Sequence, residues 1–368
     1  MQMNPPEPPL TASFRARGLP LDPIGPGLWV PRHFGNPPVE QRTTRTAAGL
    51  YDFSFMACFE ARGAQALSFL HRLQTRDLEG LAPGRLVYTL LLREDGSVFI
   101  DATVWRLGQA CYWLVTGRRA DIAHVRRVAA DFDLELQDRS GRDAVIALQG
   151  PASAALLRRC GVSALPGYFA FLDTRLFGVP CRVARMGYTG ELGYEIFVAA
   201  AAGEQLWEAL KVAGEPMGLA ECGFAAADTL RVEAGFILFT RELADPATPP
   251  ELGLGRLLSA RQRYLGAAAL ARRPVQKTLV GLVPEARFQE EVRALDPPLR
   301  PQVPVPGRAV LTSAASSALF GRTLGMGFVH PEDRYSGTRV RLGARLTGRV
   351  ARLPFYDPMK RLPRSPAG

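Results

Sequence analysis

Apolar positions along the chain follow two periods, and the change of period marks the change of element. Between Gly63 and Leu73 the residues Ala66, Leu67, Leu70 and Leu73 fall on one face of a helix. Val87–Leu92 and Val98–Arg106 read as strands, and Glu94-Asp95-Gly96-Ser97 between them carries the turn residues of a hairpin. Cys111–Thr116 predicts another strand and Arg119–Phe132 a helix. Strands at Ala144–Leu148, Val179–Met186 and Glu195–Val198 then alternate with helices at Pro151–Arg159, Gly203–Val212 and Phe224–Ala234. After Val275 the helical period disappears. Short runs at Thr278–Val283, Ala309–Thr312, Thr338–Leu342 and Val350–Leu353 predict a small all-β barrel or sandwich, with the proline-rich, charged Pro284–Gly307 as a loop inside it. No internal repeat appears.

The 368 residues suffice for two or three domains, each with its own core. Ten of the thirty prolines precede position 39. Residues 1–48 therefore predict a Pro-rich extended arm that covers a surface without forming a domain. Residues 49–270 hold the alternating strands and helices, and 271–368 hold the β-rich domain and a tail.

Composition narrows the function classes. No run approaches the ~18 apolar residues of a membrane helix, and Met1–Pro6 lacks the basic and apolar regions of a secretory signal. A cytoplasmic protein that contacts no membrane is expected. The five cysteines (Cys58, Cys111, Cys160, Cys181, Cys222) are scattered, odd in number and free of any C-x-x-C, as suits free thiols in a reducing compartment. The four histidines lie far apart, a poor basis for a zinc site or a Ser-His triad, and no metal is expected. Net charge is +10, yet only Lys211, Lys277 and Lys360 are lysines, which leaves few candidates for Schiff-base or phosphate-loop chemistry. A basic surface suits an anionic partner. The densest cluster, Arg118, Arg119, Arg126 and Arg127, lacks interleaved aromatics, so a solvated face is expected there and nucleic acid is not.

Three segments can carry chemistry. A two-residue hairpin loop at Asp95-Gly96 makes partner numbers sum to 191, so Leu90 faces Asp101 and Tyr88 faces Thr103. Phe99, Asp101, Thr103 and Trp105 then share a face with Tyr88. A carboxylate among aromatics is costly to bury and, once buried, has a raised pKa suited to catalysis or ligand holding. An exposed face with an ordinary carboxylate stays open as the alternative. The second segment, Gly187-Tyr188-Thr189-Gly190-Glu191-Leu192-Gly193-Tyr194-Glu195, is neither a phosphate loop nor a dinucleotide fingerprint. Its acids are able to take the paired N–H donors of a pterin or guanine, or simply to be solvated. The third, Ala225–Gly235, reads as a helix with internal pairs among Asp228, Arg231 and Glu233.

Together and in this order, these segments resemble the aminomethyltransferase family, the glycine-cleavage T-protein and its folate-dependent relatives. The resemblance runs from about Gly49 to Arg364. It rests on Gly49-Leu-Tyr-Asp-Phe-Ser-Phe-Met56, Leu81-Ala-Pro-Gly-Arg-Leu-Val-Tyr-Thr89, Glu94-Asp-Gly with Asp101, and Leu148-Gln-Gly-Pro151. Further matches are Gly187–Glu195, Asp228-Thr-Leu-Arg-Val-Glu-Ala-Gly235, Glu251-Leu-Gly-Leu-Gly255 and Leu353-Pro-Phe-Tyr-Asp357. It implies an α+β fold, a three-subdomain ring around a central channel for tetrahydrofolate, with 49–270 supplying two subdomains and a barrel-like β domain last. By position, Asp101 matches the catalytic aspartate near the folate amine that accepts the one-carbon unit, and Glu195 the acid that grips the pterin. Met56, Tyr88 and Tyr188 match folate-pocket positions, Trp105 a common aromatic, and Arg231 belongs to the same folate-binding set.

From the departures, a divergent, stand-alone paralogue is expected. Ser54-Phe55-Met56 stands where the T-protein pattern has Ser-His-Met, and Ile100 where a second acid pairs with the aspartate. Ala227 replaces an arginine that meets the glutamyl end of folate, leaving Arg118 and Arg241 as candidates for that role. Val115-Thr116-Gly117 looks more like the folate domain of dimethylglycine and sarcosine oxidising enzymes, but no dinucleotide-binding domain accompanies it. The expected activity is transfer of a methyl, methylene or aminomethyl carbon from an N-, S- or O-linked small-molecule donor onto tetrahydrofolate. Two alternatives stand beside it. One is a T-protein acting on an aminomethyl group carried by a lipoyl protein. The other is a non-catalytic folate-binding assembly factor, a relative marked by a Lys-Gly-Cys motif for which this chain has only Cys222.

Overall fold

In the computed structural model, which describes residues 7–25, 27–261, 263–286, 304–343 and 345–366, the chain opens with helix α1 (Thr11–Ala16), a ribbon of β1 (Leu21–Gly25) and β2 (Leu28–Pro31), and helix α2 (Pro37–Thr46). This corrects the expected extended arm. Its prolines sit where they cost little: Pro37 and Pro38 start α2, where N–H groups have no helical partner anyway, and Pro23 and Pro31 lie in a two-stranded ribbon. Leu10 and Phe14 are each 1% exposed, plugged into a core.

Strands β3 (Ala48–Asp52) and β4 (Ala57–Arg62), helix α3 (Ala66–Leu73), and strands β5 (Arg85–Leu92), β6 (Val98–Gly108) and β7 (Cys111–Thr116) follow. Next come α4 (Ile122–Ala129), β8 (Glu135–Asp138), β9 (Asp143–Gln149), α5 (Ser153–Arg159), β10 (Phe171–Leu176), β11 (Val179–Ala184) and β12 (Gly193–Ala199). Helix α6 (Gly203–Gly214), β13 (Leu219–Glu221), α7 (Phe224–Glu233) and α8 (Ala267–Arg272) lead to β14 (Thr278–Pro284), β15 (Val310–Ser317), β16 (Arg322–Val329), β17 (Arg339–Arg341) and β18 (Thr347–Ala351). Residues 287–303 of the expected Pro284–Gly307 loop lie outside the described residues.

The architecture is α+β with three main sheets. The first runs β10-β11-β12-β9-β3-β13, antiparallel except where β13 joins β3; the second runs β5-β6-β7-β4-β8, and the third β15-β16-β14-β18-β17. The third sheet curls until its edges meet at one bridge, Arg308 with Arg341, and is barrel-like without closing. Side-chain alternation explains the layers. Ile146, Leu148, Tyr194 and Ile196 pack with Trp207 and Leu210 of α6 into one core. The opposite face of the same strands, with Val145, Ala147 and Phe197, packs against Trp105, Trp113 and Leu114 of the second sheet. Any side chain at an odd position of β12 therefore projects between the two sheets, and one of these is Glu195.

Candidate functional site

The first carboxylate is placed by a bulged hairpin. The Arg93 N–H donates to the Ser97 carbonyl at 2.8 Å and the Gly96 N–H to the Arg93 carbonyl at 3.0 Å, so the loop is Glu94-Asp95-Gly96. Gly96, at φ +82, supplies the left-handed residue that a three-residue loop needs. Leu92 then pairs with Val98 but Leu91 with Ile100, which leaves Phe99 as an extra residue. The bulge restores Leu90–Asp101 and Tyr88–Thr103. The expected register thus holds, by a longer loop plus a bulge. Phe99 is turned onto His124, with ring centroids 4.3 Å apart, and under the Arg118 guanidinium.

The Tyr88 hydroxyl donates to Asp101 Oδ2 at 3.1 Å. Asp101 is half-buried. Burial lifts its carboxyl to about 6 against the opposing pull of the Tyr88 hydrogen bond; the Asp121 carboxylate adds to the rise and the Arg118 guanidinium opposes it. Burial, with the adjacent Asp101 charge, also holds the Tyr88 phenol well above its usual range. Tyr88 therefore stays a donor, and Asp101 changes charge just below neutrality.

The second carboxylate comes from the glycine-rich segment. A Cβ at Gly187 or Gly193 would lie 1.9 or 2.3 Å from the Gln149 side chain, so a larger residue at either position would displace that amide. Gln149 rewards that approach: its amide donates to the carbonyls of Met186 and Tyr194 and accepts from Thr189. The two glutamates of the segment part company here. Glu191 pairs with Arg45 at 2.9 Å, and Arg45 also grips Glu233 at 2.6 Å and lies 3.8 Å over the Tyr356 ring. Glu195, 2% exposed, has no such partner: its Oε2 is buried without a hydrogen bond among the described residues. Burial alone pushes its carboxyl up to about 8. An orphaned, desolvated carboxyl in a folded interior is costly unless a ligand supplies donors.

Each acid lies on the same strand face as an aromatic ring, and the two rings meet. Asp101, Thr103 and Trp105 alternate along one face of β6, Glu195 and Phe197 along one face of β12, and the Trp105 and Phe197 rings meet edge-to-face at 5.0 Å. Tyr188 closes another side. Its hydroxyl donates to the Ile237 carbonyl at 2.7 Å, and its ring stacks on Phe236 and meets the edge of Phe53. Met56 is half-buried and lines a recess with Cys58, Val115 and Phe197.

Two expected folate contacts lie elsewhere. Trp105 is fully enclosed among Trp113, Phe171 and Phe197, and its indole N–H is spent on Thr103 at 2.7 Å. It backs the wall. Arg231 is 0% exposed and saturated: it pairs with Asp228 at 2.8 Å and Glu242 at 2.7 Å and donates to Ser313 at 2.8 Å and the Phe236 carbonyl. It fastens α7 to β15 of the third sheet. The helical pairing of Asp228 with Arg231 was legible; the cross-sheet partners, more than ten residues away, were not. Arg118 is likewise engaged, with Asp121 and the Phe99 carbonyl. Sequence reasoning missed Asp121, Arg45 and Phe236, none of which carries a local signal of its own.

Comparison with known proteins fits this geometry. The GCVT N-terminal domain family model matches residues 26–262. Aminomethyltransferase from Streptomyces coelicolor is 36% identical, the match covering 95% of this chain and 97% of that one. The chain belongs to the aminomethyltransferase family. The Bacillus subtilis aminomethyltransferase is 33% identical over 90% of this chain and 94% of its own. Among solved structures, the glycine cleavage system aminomethyltransferase T from Bartonella henselae superposes with a TM-score of 0.81 over 96% of this chain and 98% of that one, at 24% identity. It has the same fold. Membership makes this chain one of a family of transferases. Among the described residues no helix is long and apolar enough to cross a membrane.

Proposed function

We propose that this aminomethyltransferase-family chain moves a one-carbon unit from an N-, S- or O-linked donor onto tetrahydrofolate in the cytoplasm, with Glu195 holding the pterin and Asp101 at the accepting amine. The observation that carries this reading is the buried Glu195 carboxyl, whose Oε2 has no hydrogen bond among the described residues. A carboxylate offers two parallel acceptor sites, which match a ring N–H beside an amino group. Tetrahydrofolate supplies the nucleophilic amine that takes the carbon. Asp101, changing charge near pH 6, accepts or returns the proton of that amine while Tyr88 fixes the orientation of its Oδ2. The aromatic walls from Phe53, Tyr188 and Phe236 keep water from the transferred carbon.

The name carried by the relatives, aminomethyltransferase, favours an aminomethyl donor, and the lipoyl-borne aminomethyl group implied by the sequence resemblance is the second donor class. Phe55, 7% exposed at the position of the family's histidine, supports the small-molecule donor instead, since it puts an apolar ring where a proton-transfer group would stand. A donor screen with methylated amines and with an aminomethyl-lipoyl carrier, reading methyl- against methylene-tetrahydrofolate, separates the two. Tetrahydrofolate that binds tightly but accepts carbon from neither class of donor would favour the non-catalytic folate-binding protein.

A further inference from the structure

The bulge that turns Asp101 toward Tyr88 is gripped from two sides. A bulge disrupts the ladder locally and lets its residues shift unless something else holds them. Here two guanidinium groups do so. Arg93 donates to the Val98 carbonyl, and Arg118 Nη2 donates to the Phe99 carbonyl at 3.3 Å. Both also lie against the Phe99 ring, 5.4 and 5.1 Å from its centroid.

Arg118 is fixed at its other end. Its Nε donates to Asp121 Oδ1 at 3.0 Å, its Nη2 lies 2.9 Å from the same oxygen, and its guanidinium stands 5.7 Å from the Phe239 ring centroid. A Cβ at Gly117 would come within 2.7 Å of that ring, so the backbone just before Arg118 is pressed against Phe239. Arg118 thereby ties β6, at the bulge, to the turn that follows β7.

Asp121 is the unexpected partner. An ion pair that merely fastened a surface turn would leave both groups in water, where it is worth little. Asp121 is instead 1% exposed, and its Oδ2 is buried with no hydrogen bond among the described residues. The titratable groups that act on Asp101 are Tyr88 from β5, Tyr188 from the segment before β12, and Arg118 and Asp121 from the segment after β7. An arginine this near an acid ordinarily pairs with it and holds it ionised. Arg118 spends its charge on Asp121, and the hydrogen-bond partner of Asp101 is the neutral Tyr88.

We propose that Arg118 and Asp121 are a positioning pair for Asp101: Arg118 clamps the Phe99 bulge so that Asp101 faces Tyr88, and Asp121 keeps the clamping cation from pairing with Asp101. This deepens, and rests on, the reading of Asp101 as the acid that handles the proton of the accepting amine. A group with that task needs a carboxyl that changes charge near neutrality, which a direct arginine pair would prevent.

The test reads the Asp101 carboxyl itself and needs no one-carbon donor. In the full chain, isotopically labelled at the aspartate carboxyl carbons, its NMR signal is identified by its loss in Asp101→Asn and followed through its titration near pH 6. Arg118→Met is expected to move that titration to higher pH, since the opposing cation is gone and Asp121 is left uncompensated. Asp121→Asn is expected to move it to lower pH, since Arg118 is released toward Asp101. Arg118→Lys keeps the charge without the planar fork. Its titration should fall between wild type and Arg118→Met, while amide exchange over residues 98–101 rises about tenfold in both Arg118 variants and stays unchanged in β12. Arg118 is only half-buried, so its replacement opens no cavity in the core. Shifts of the same sign in Arg118→Met and Asp121→Asn, as a general loosening would give, or no shift in either, overturn the pair. Exchange at 98–101 that matches wild type in both Arg118 variants overturns the clamp. The underlying reading fails on a different result, unchanged turnover in Asp101→Asn.

Discussion

The Tyr88 hydroxyl meets Asp101 Oδ2 at 3.1 Å, and it does so because Phe99 bulges out of the strand between them and the turn. Without that extra residue the three-residue loop would put partners one place out of step, and every side chain of β6 beyond it would change faces. Asp101 would then lie on the opposite face of the sheet, away from Tyr88.

The contact makes a kinetic expectation. Asp101→Asn should lower turnover about 100-fold or more, the usual worth of a proton-transfer group, while tetrahydrofolate affinity changes much less. Steady-state rates beside direct binding separate the two. A loss of affinity that equals the loss of rate would make Asp101 a binding residue only.

Tyr88→Phe removes a hydrogen bond that holds the Asp101 carboxyl down. The acid limb of kcat at saturating folate, expected near pH 6 in wild type, should therefore move to higher pH in the variant. An unmoved limb would show that another group titrates.

Arg231→Ala is expected to unfold the junction rather than empty the site. Glu242 and Asp228 would lose the cation that neutralises them, and breaking a buried pair costs about 3–5 kcal/mol. Denaturant melts should show that loss. A variant of normal stability that no longer binds folate would contradict this placement of Arg231.

Much of this arrangement was legible because its determinants are local. The strands Cys111–Thr116 and Glu195–Val198 and the helix at Gly203–Val212 follow from short-range pattern and lie within a few residues of β7, β12 and α6. β3 and β4 escaped notice because both faces are buried, so no alternation marks them. β16 escaped because Gly325 and Gly327 weaken a strand signal; a Cβ at Gly327 would strike the Val310 carbonyl, and one at Gly325 would crowd the Leu311 side chain. The site divides the same way. The hairpin arithmetic brought Tyr88 to Asp101, but nothing local distinguishes Glu191 from Glu195. That difference depends on Arg45, some 146 residues from Glu191 in sequence.

Glu195 also ties stability to pH. Burial raises its carboxyl from 4.5 to about 8, so the folded chain keeps a proton that the unfolded chain gives up. This contribution is fully present below about pH 4.5 and is lost as pH rises through 8. Glu195→Gln lacks the titration, so the unliganded variant should gain on wild type between about pH 5 and 8 by on the order of 1–4 kcal/mol. Thermal melts across that window read it, and a gap that stays constant with pH would rule the linkage out.

The most direct measurement of the central claim is tetrahydrofolate binding to wild type and Glu195→Gln, followed anaerobically by calorimetry as a function of pH in buffers of different ionisation heat. The account expects wild-type affinity to rise about tenfold per pH unit below the Glu195 value and then level off. Binding near neutrality should release close to one proton, because the pterin donors favour the ionised carboxyl. Glu195→Gln, which offers an N–H where the pterin offers another, should bind more weakly by about 1–3 kcal/mol and without that pH dependence. Affinity that is flat with pH in wild type, or equal in the two proteins, would contradict the assignment of the pterin to Glu195.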